Sequence, residues 1–255
     1  MGALEGRFIP TLSQFRQLLN LLVQEELVIV PLSGPLEGHR MRLNWRHHKR
    51  YALGMYEPMV VEIIQKTVKP GWVCADVGAF IGYYTLLLAK SVGATGKVIA
   101  FEPFPSNFQI LCENIALNGY QNVVLENKAV TDKSQTVNFR STVTKGLNHG
   151  VSVMTGFGMY PAVSLDEYWE NRTDRLNFVK IDVEGAEAAV LKGMERVMRR
   201  DRPILLVELH AFDQQGENHP ALRCLKELCY EIVHLPRQRG EFRGGEVHIL
   251  AQPKE

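Results

Sequence analysis

Apolar positions along this chain switch repeatedly between helical spacing, every three or four residues, and short continuous or alternating runs that suit strands. Near the start, Phe15, Leu18, Leu19, Leu22 and Leu27 recur at helical intervals, and Thr11 with Gln14 has capping-box spacing. This predicts an amphipathic helix that docks by one face. Val28 to Pro31 reads as a short strand, closed by the turn signal Ser33-Gly34-Pro35. Met59, Val60, Ile63, Ile64 and Val68 predict a helix over 55–68, stopped by Pro70-Gly71.

From residue 72 the two periods alternate regularly. Trp72 to Val77, Val98 to Phe101 and Val123 to Glu126 read as strands. Between them lie a helix over Gly82 to Val92 and another carrying Phe104, Phe108, Leu111 and Ile115, stopped by Asn118-Gly119. Residues 128–140 alternate around Thr131-Asp132-Lys133-Ser134, which suggests a hairpin. Residues 141–162, with Gly146, Gly150, Gly156 and Gly158, read as a long loop, either a plain connection or a lid over substrate. Asn177 to Ile181 and Pro203 to Leu209 are further strands. Between them Val190, Met194, Val197 and Met198 predict one helix, with Glu184 and Glu187 at its start and Arg199 and Arg200 at its end, as the helix dipole favours. A helix over 220–230 precedes a closing strand pair, 231–235 and 246–251.

Repeated β-α units require right-handed crossovers and a mostly parallel sheet with helices on both faces, and the last pair suits an antiparallel closure. The expected organisation is an N-terminal cover region, 1–70, followed by an α/β domain over 71–255.

Composition narrows the class of partner. With 29 Lys and Arg against 28 Asp and Glu, the chain carries a formal charge of +1, so no global field favours nucleic acid or an anionic membrane. The dense basic run Arg46-His47-His48-Lys49-Arg50 reads as a solvated segment or a local polyanion contact. Cys74, Cys112, Cys224 and Cys229 form no C-x-x-C pair or zinc-like repeat, so reduced thiols and a cytoplasmic location are expected. Asn20, Gln24, Glu25 and Glu26 interrupt the apolar stretch Leu18 to Val30, which predicts neither a membrane span nor a signal peptide. Oligomeric state is not legible here.

In such a sheet, ligands bind at the carboxyl ends of the strands. Asp76, Glu102, Asp182 and Glu208 are predicted to end four of them, and acids gathered at one rim are costly unless solvated or used. Asp76-Val77-Gly78-Ala79-Phe80-Ile81-Gly82 is a small-residue turn from strand into helix, which lets a ligand approach the backbone and the first helix amides. It is neither G-x-G-x-x-G nor a phosphate-binding G-x-x-x-x-G-K-[ST] loop. Glu102, after the next strand, has two oxygens that match the vicinal hydroxyls of a ribose.

These segments resemble the S-adenosylmethionine site of class I, Rossmann-like methyltransferases, and more narrowly the FkbM family of methyltransferases. The likeness rests on Asp76-Val77-Gly78-Ala79 with Ile81-Gly82-Tyr83-Tyr84-Thr85, on Phe101-Glu102-Pro103 and on Asn127-Lys128-Ala129-Val130. Its most specific part is Val179-Lys180-Ile181-Asp182-Val183-Glu184-Gly185-Ala186-Glu187. Gly54-x-Tyr56-Glu57 and Glu208-x-His210 extend it over roughly residues 50–210. The family pattern usually has Asn where Phe80 stands.

The resemblance implies S-adenosyl-L-methionine as methyl donor, leaving S-adenosyl-L-homocysteine. Asp76, Gly78, Ala79 and Gly82 would hold its amino-acid portion, with Tyr84 and Thr85 in the following helix. Glu102 and Pro103 would meet the ribose, Asn127 and Ala129 the adenine edge, and Tyr56 and Glu57 would wall the pocket. Asp182 would face the methyl group. A hydroxyl acceptor must lose its proton, which Asp182 or His210 would take, while Glu208 would orient His210 or bind substrate hydroxyls. Asp182 and Glu184 could instead cap the next helix. Asp182, Glu208 and His210 also offer oxygen and nitrogen donors to a metal, although none is assigned.

Asp182-Val183-Glu184-Gly185 is not the Asn/Asp-Pro-Pro-Tyr/Phe segment of base N-methylation, and no Pro-Cys occurs for cytosine C5 chemistry. Oxygen methylation of a polyketide, saccharide or glycolipid hydroxyl is therefore the leading expectation. The alternatives are an RNA methyltransferase using 46–50 with Arg237, Arg239 and Arg243, and a non-catalytic module on the same fold.

Overall fold

The computed structural model describes residues 26–31, 33–140, 157–236 and 246–254. The helix expected around residues 11–27, most of the 141–162 loop, and Arg237, Arg239 and Arg243 lie outside them. The chain opens with the antiparallel hairpin β1 (Glu26–Ile29) and β2 (Met41–Asn44), then α1 (Trp45–Ala52) and α2 (Pro58–Thr67). The alternating part follows as β3 (Val73–Val77), α3 (Tyr83–Val92), β4 (Lys97–Phe101), α4 (Pro105–Leu117) and β5 (Val123–Glu126). Next come β6 (Ala129–Val130), β7 (Gln135–Arg140), β8 (Phe157–Val163) and α5 (Leu165–Tyr168). The chain continues through β9 (Leu176–Ile181), α6 (Glu187–Lys192), α7 (Glu195–Asp201), β10 (Ile204–Leu209) and α8 (Phe212–Gln215). It closes with α9 (Pro220–Glu227), β11 (Tyr230–His234) and β12 (Val247–Pro253).

Seven strands form the main sheet in the order β11-β12-β10-β9-β3-β4-β5. All are parallel except β12, which runs antiparallel to both its neighbours. The order reverses between β3 and β9, where two parallel halves diverge and leave a crevice at the strands' carboxyl ends. Because strand side chains alternate, each strand feeds two cores. Ala75, Ile99, Val179 and Val207 face α6, α7 and α9 on one side. Cys74, Val98, Phe178 and Leu206 face α2 and α3 on the other.

The N-terminal hairpin joins this second core through Leu36, Met41 and Leu43, all at most 1% exposed. Two asparagines, Asn114 of α4 and Asn118 that caps its carboxyl end, hold it there. The buried Asn114 bonds the Arg42 N–H at 2.6 Å and its carbonyl at 3.1 Å, and Asn118 does the same for Arg40 at 2.9 and 2.8 Å. Side-chain amides one helical turn apart thus substitute for a neighbouring strand, satisfying an edge that would otherwise be costly. Asn114 also donates to the Ile81 carbonyl at 2.7 Å, so the same residue braces the turn after β3.

Three expectations need correction. Residues 128–140 do not fold into a hairpin: β6 and β7 each pair with β8, which lies between them, so β8 gains a ladder on both edges. Consequently 157–162 is strand rather than loop. The single helix expected through Val190 and Val197 is two, α6 and α7, separated at Gly193-Met194. Asp166 of α5 supplies the reason. Its carboxylate accepts the free Arg196 and Val197 amides of α7 at 3.0 and 2.8 Å, while its own N–H bonds the Gly193 carbonyl at 2.8 Å. That arrangement starts a new helix with a capped amino end. The run 46–50, read as a solvated segment or a polyanion contact, lies in helix α1, where His47 is exposed but His48 is buried at 5% exposure. Among the described residues no helix is long and apolar enough to cross a membrane.

A Cβ added at Gly193 would overlap the Thr131 carbonyl, where α6 touches the small sheet. Gly193→Ala is therefore expected to destabilise the protein by about 1–3 kcal/mol, since neither backbone can relax freely. Urea unfolding of wild type and variant measures the difference.

Candidate active site

The turn after β3 is built by glycines at two points. Gly78 has φ +86°, and an added Cβ would overlap the Asp182 carbonyl, so β9 can approach the turn only over glycine. Around it, the Gly78 and Ala79 amides bond the Phe101 carbonyl at 3.0 and 2.9 Å, and the Asp182 amide bonds the Val77 carbonyl at 2.9 Å. Gly82, at φ +92°, opens α3 and packs on Leu111. Phe80 also has positive φ, +51°, a conformation Asn adopts more readily than an aromatic residue. Its ring packs edge-on against His48, and with Arg42, Asn44 and Asn107 it lines a cavity of about 40 Å³ that Asp182, Glu208 and His210 do not reach.

Glu102 closes β4 beside this turn and is 4% exposed. Its carboxylate accepts the Phe80 and Phe104 amides at 2.9 and 3.0 Å and the Asn107 side chain at 3.3 Å. Burial pushes its carboxyl up to about 7, against those bonds. Asn127, just after β5, holds the same segment, donating to the Glu102 and Pro103 carbonyls at 2.8 and 3.1 Å. Ala129, two residues on, is buried in β6 opposite Ala162 of the small sheet.

The second half of the site lies on one face of the main sheet. Asp76 of β3 stands opposite Lys180 of β9, and Glu208 of β10 stands opposite His248 of β12. All four share strand parity with Cys74, Phe178 and Leu206, so they project under α2 and α3. Asp76 is fully buried, with Thr85 of α3 donating to one oxygen at 2.6 Å, and the other oxygen has no partner. Burial raises its carboxyl above the usual range, opposed by Lys180. The Lys180 ammonium is 1% exposed, 3.0 Å from Asp182 and 4.5 Å over the Tyr84 ring. Desolvation disfavours its charge, yet Asp182 and Asp76 hold it above the ordinary lysine value. Asp182 in turn stays below the usual carboxylate range, because Lys180 and His210 outweigh its burial.

Glu57 reaches this face from the amino end of α2, at φ +39°. It accepts the Tyr84 hydroxyl and lies 3.6 Å from the His248 ring. Tyr56 joins an aromatic cluster with Tyr51, Tyr83 and Tyr84. His248 Nε2 lies 3.4 Å from Glu208. His210 instead leaves the strand end and sits between Glu187 at 2.8 Å and Glu184 at 3.2 Å. Despite desolvation, those two carboxylates push its imidazole up to about 11.

Glu208 and His210 thus belong to separate clusters, and Glu208 does not orient His210. A single Asp182–Glu208–His210 donor set is likewise divided, into Glu57–Glu208–His248 and Asp182–Glu184–His210. Neither Asp182 nor Glu184 caps α6. Ala186 occupies the cap position without a side-chain bond, and Glu187 accepts the Gly185 amide at 2.8 Å. Sequence reasoning assigned no role to Lys180 or His248. Both carry a signal, being charged or polar inside otherwise apolar strands, Phe178 to Ile181 and Val247 to Leu250. Two parts therefore adjoin across the crevice: a glycine turn with a ribose-compatible acid, and a buried charged face. The close approach at Gly78 is filled by the Asp182 carbonyl, so the residue that fits the donor implied by the sequence is the buried Glu102, whose two oxygens suit a ribose.

Residues 76–232 match the model of the methyltransferase FkbM domain. The hexuronic acid methyltransferase AglP of Haloferax volcanii is 30% identical over 157 residues, 61% of this chain and 63% of that protein. The chain thus spans less than two thirds of that relative's length. The crystal structure of methyltransferase FkbM from Methylobacillus flagellatus KT superimposes with a TM-score of 0.53 at 16% identity, covering 76% of this chain and 51% of that one. Fibrillarin from Aeropyrum pernix, solved with S-adenosyl-L-methionine bound, gives a TM-score of 0.50 at 14% identity over 89% of this chain and 87% of that one.

Thr85 is the hydrogen-bonding partner of Asp76, and Thr85→Val keeps its shape while removing the hydroxyl. The expected cost is about 1–3 kcal/mol, because a buried carboxyl loses its donor. Thr85→Ser should retain most of that stability. Denaturant midpoints of the two variants make the comparison.

Proposed function

The chain belongs to the FkbM methyltransferase family, and from that premise we propose that it transfers a methyl group from S-adenosyl-L-methionine to a hydroxyl of a saccharide or other small molecule. The observation that carries the reading is the juxtaposition of the Gly78–Gly82 turn and Glu102 with the charged face of Asp182, Lys180 and Glu208. When bound, S-adenosylmethionine supplies a methyl group activated by its sulfonium. Asp76, Gly78, Ala79 and Gly82, with Tyr84 and Thr85 behind them, shape the recess for its amino-acid end. Glu102 and Pro103 meet the ribose hydroxyls, and Asn127 and Ala129 border the adenine. Tyr56 and Glu57 wall the cleft opposite Asp182.

On the acceptor side, Asp182 is held ionised by Lys180 and orients the incoming oxygen. His210 has both ring nitrogens turned to Glu184 and Glu187, which leaves neither aimed at an acceptor and fixes the loop after β9. The proton therefore goes to a carboxylate. The hexuronic acid methyltransferase relative supports a saccharide acceptor. Within the basic run, His48 is buried and the Arg50 guanidinium bonds the Met55 carbonyl at 3.1 and 3.3 Å, so these two side chains serve the fold.

Isothermal calorimetry is expected to show S-adenosylmethionine binding, with Glu102→Ala weakening it about 10- to 100-fold, as loss of charged hydrogen bonds does. A wild-type chain that gives neither heat nor a thermal shift overturns the reading. Glu102 accepts hydrogen bonds from both ribose hydroxyls only as the carboxylate, so affinity should fall as pH drops below about 7 and level off above it. Asp182→Asn should lower turnover more than donor affinity. A labelled-methyl screen over saccharides, polyketides, lipopolysaccharide and RNA identifies the acceptor.

A further inference from the structure

Glu57 and His248 both lie outside the stretch that matches the family model, yet they converge on Glu208 inside it. We propose that His248 is a positioning residue that holds Glu208 as the carboxylate receiving the acceptor's proton. This rests on the hydroxyl-methylation reading above.

Geometry carries the assignment. Glu208 and His248 stand directly opposite each other in the antiparallel β10–β12 ladder, so their side chains must share one face. His248 Nε2 lies 3.4 Å from Glu208 and 3.6 Å from Glu57, and the three side chains are 4%, 11% and 11% exposed. Every neighbouring element adds a group. Lys180 and Asp182 come from β9, Tyr84 from α3 donates to Glu57, Tyr56 precedes α2, and His210 follows β10.

The carboxylates divide between two cations, Asp76 and Asp182 with Lys180, and Glu57 and Glu208 with His248. Lys180 is committed to Asp182 at 3.0 Å. Glu208 therefore sits beside a carboxylate that is already ionised, and two such neighbours do not both ionise without a second cation. His248 supplies it. The division also makes the two carboxylates unequal as bases. Lys180 keeps Asp182 a weak one, whereas burial and the Asp182 charge push Glu208 up to about 7, where a general base works best.

In the resulting step the acceptor O–H proton passes to a Glu208 oxygen as the acceptor oxygen bonds the methyl carbon. The S–CH3 bond breaks with its electron pair left on sulfur, which becomes a neutral thioether. The net proton sits on Glu208 and passes to solvent once the products have left.

Two measurements test this. NMR titration of the His248 Cε1–H resonance needs no acceptor. It should place the imidazole above its ordinary value in wild type, where Glu208 and Glu57 favour the cation, and lower in the isosteric Glu208→Gln. An unchanged titration overturns the proposal. The second is the pH dependence of kcat in His248→Gln. Without the imidazolium, Glu208 protonates more readily, so the acid limb should move up by about one unit. The loss is then roughly tenfold at pH 6.5 and small at pH 9, with donor Kd and acceptor KM unchanged. A loss equal at all pH values shows a merely structural role and overturns the proposal. So does methyl transfer that a chelator abolishes and Mn2+ restores, which would make His248 a ligand. If wild type binds the donor but methylates no hydroxyl, the hydroxyl reading fails, and the NMR titration still reports whether His248 and Glu208 are coupled. Should His248→Gln fail to fold, the Glu208→Gln titration decides.

Discussion

A lysine ammonium taken out of water costs several kcal/mol unless carboxylates surround it, and Lys180 is placed where that requirement organises the rest. Its stem emerges from β9 between Asp76 and the strand end, with the Tyr84 ring beneath the charge and Asp182 against it. Removing Lys180 would leave the buried Asp76 and the half-buried Asp182 as neighbouring like charges without a cation between them. The cation therefore lets two carboxylates occupy the switch point of the sheet. The second row, Glu208 with His248, repeats the solution on the next pair of strands with a titratable cation.

Backbone strain collects around the same rim. Among the described residues, six outside glycine have positive φ, and Glu57, Phe80, Glu184 and Ala211 adjoin the site's elements. Each is held by its surroundings. Glu57 begins a helix and meets Tyr84, Phe80 gives its amide to Glu102, and Glu184 precedes the Gly185 turn beside His210. Such conformations persist only where the fold over-determines them, which is common at ligand sites. The N-terminal hairpin contributes here at a distance. Asn114 and Asn118 fasten it to α4, α1 and α2 follow it, and Glu57 is delivered from the start of α2.

Much of the core and of the turn after β3 was legible from residue order. Strand and helix periods are local, so β3, α3, β4, α4 and β9 appear close to their expected bounds. The Asp76–Gly82 turn is contiguous, which makes its chemistry readable without knowing the fold. Legibility failed wherever the deciding partner was remote. Nothing near Gly193 announces a helix break, because Asp166 caps the second helix from a different element. Nothing near residues 129–140 reveals that β8 inserts between β6 and β7.

By itself the amino-acid sequence determined the α/β class, the mostly parallel sheet with its antiparallel closure, and the turn and acid that suit a nucleoside-bearing methyl donor. These follow from interactions within a strand, a helix or one turn. Only the tertiary structure decided how the acids are paired: Asp182 with Lys180, Glu208 with His248 and Glu57, and His210 with Glu184 and Glu187. The physical reason is that a buried carboxylate's strength depends on which charges lie within a few ångströms. Those neighbours are brought by strand register and helix packing from segments far apart in the chain.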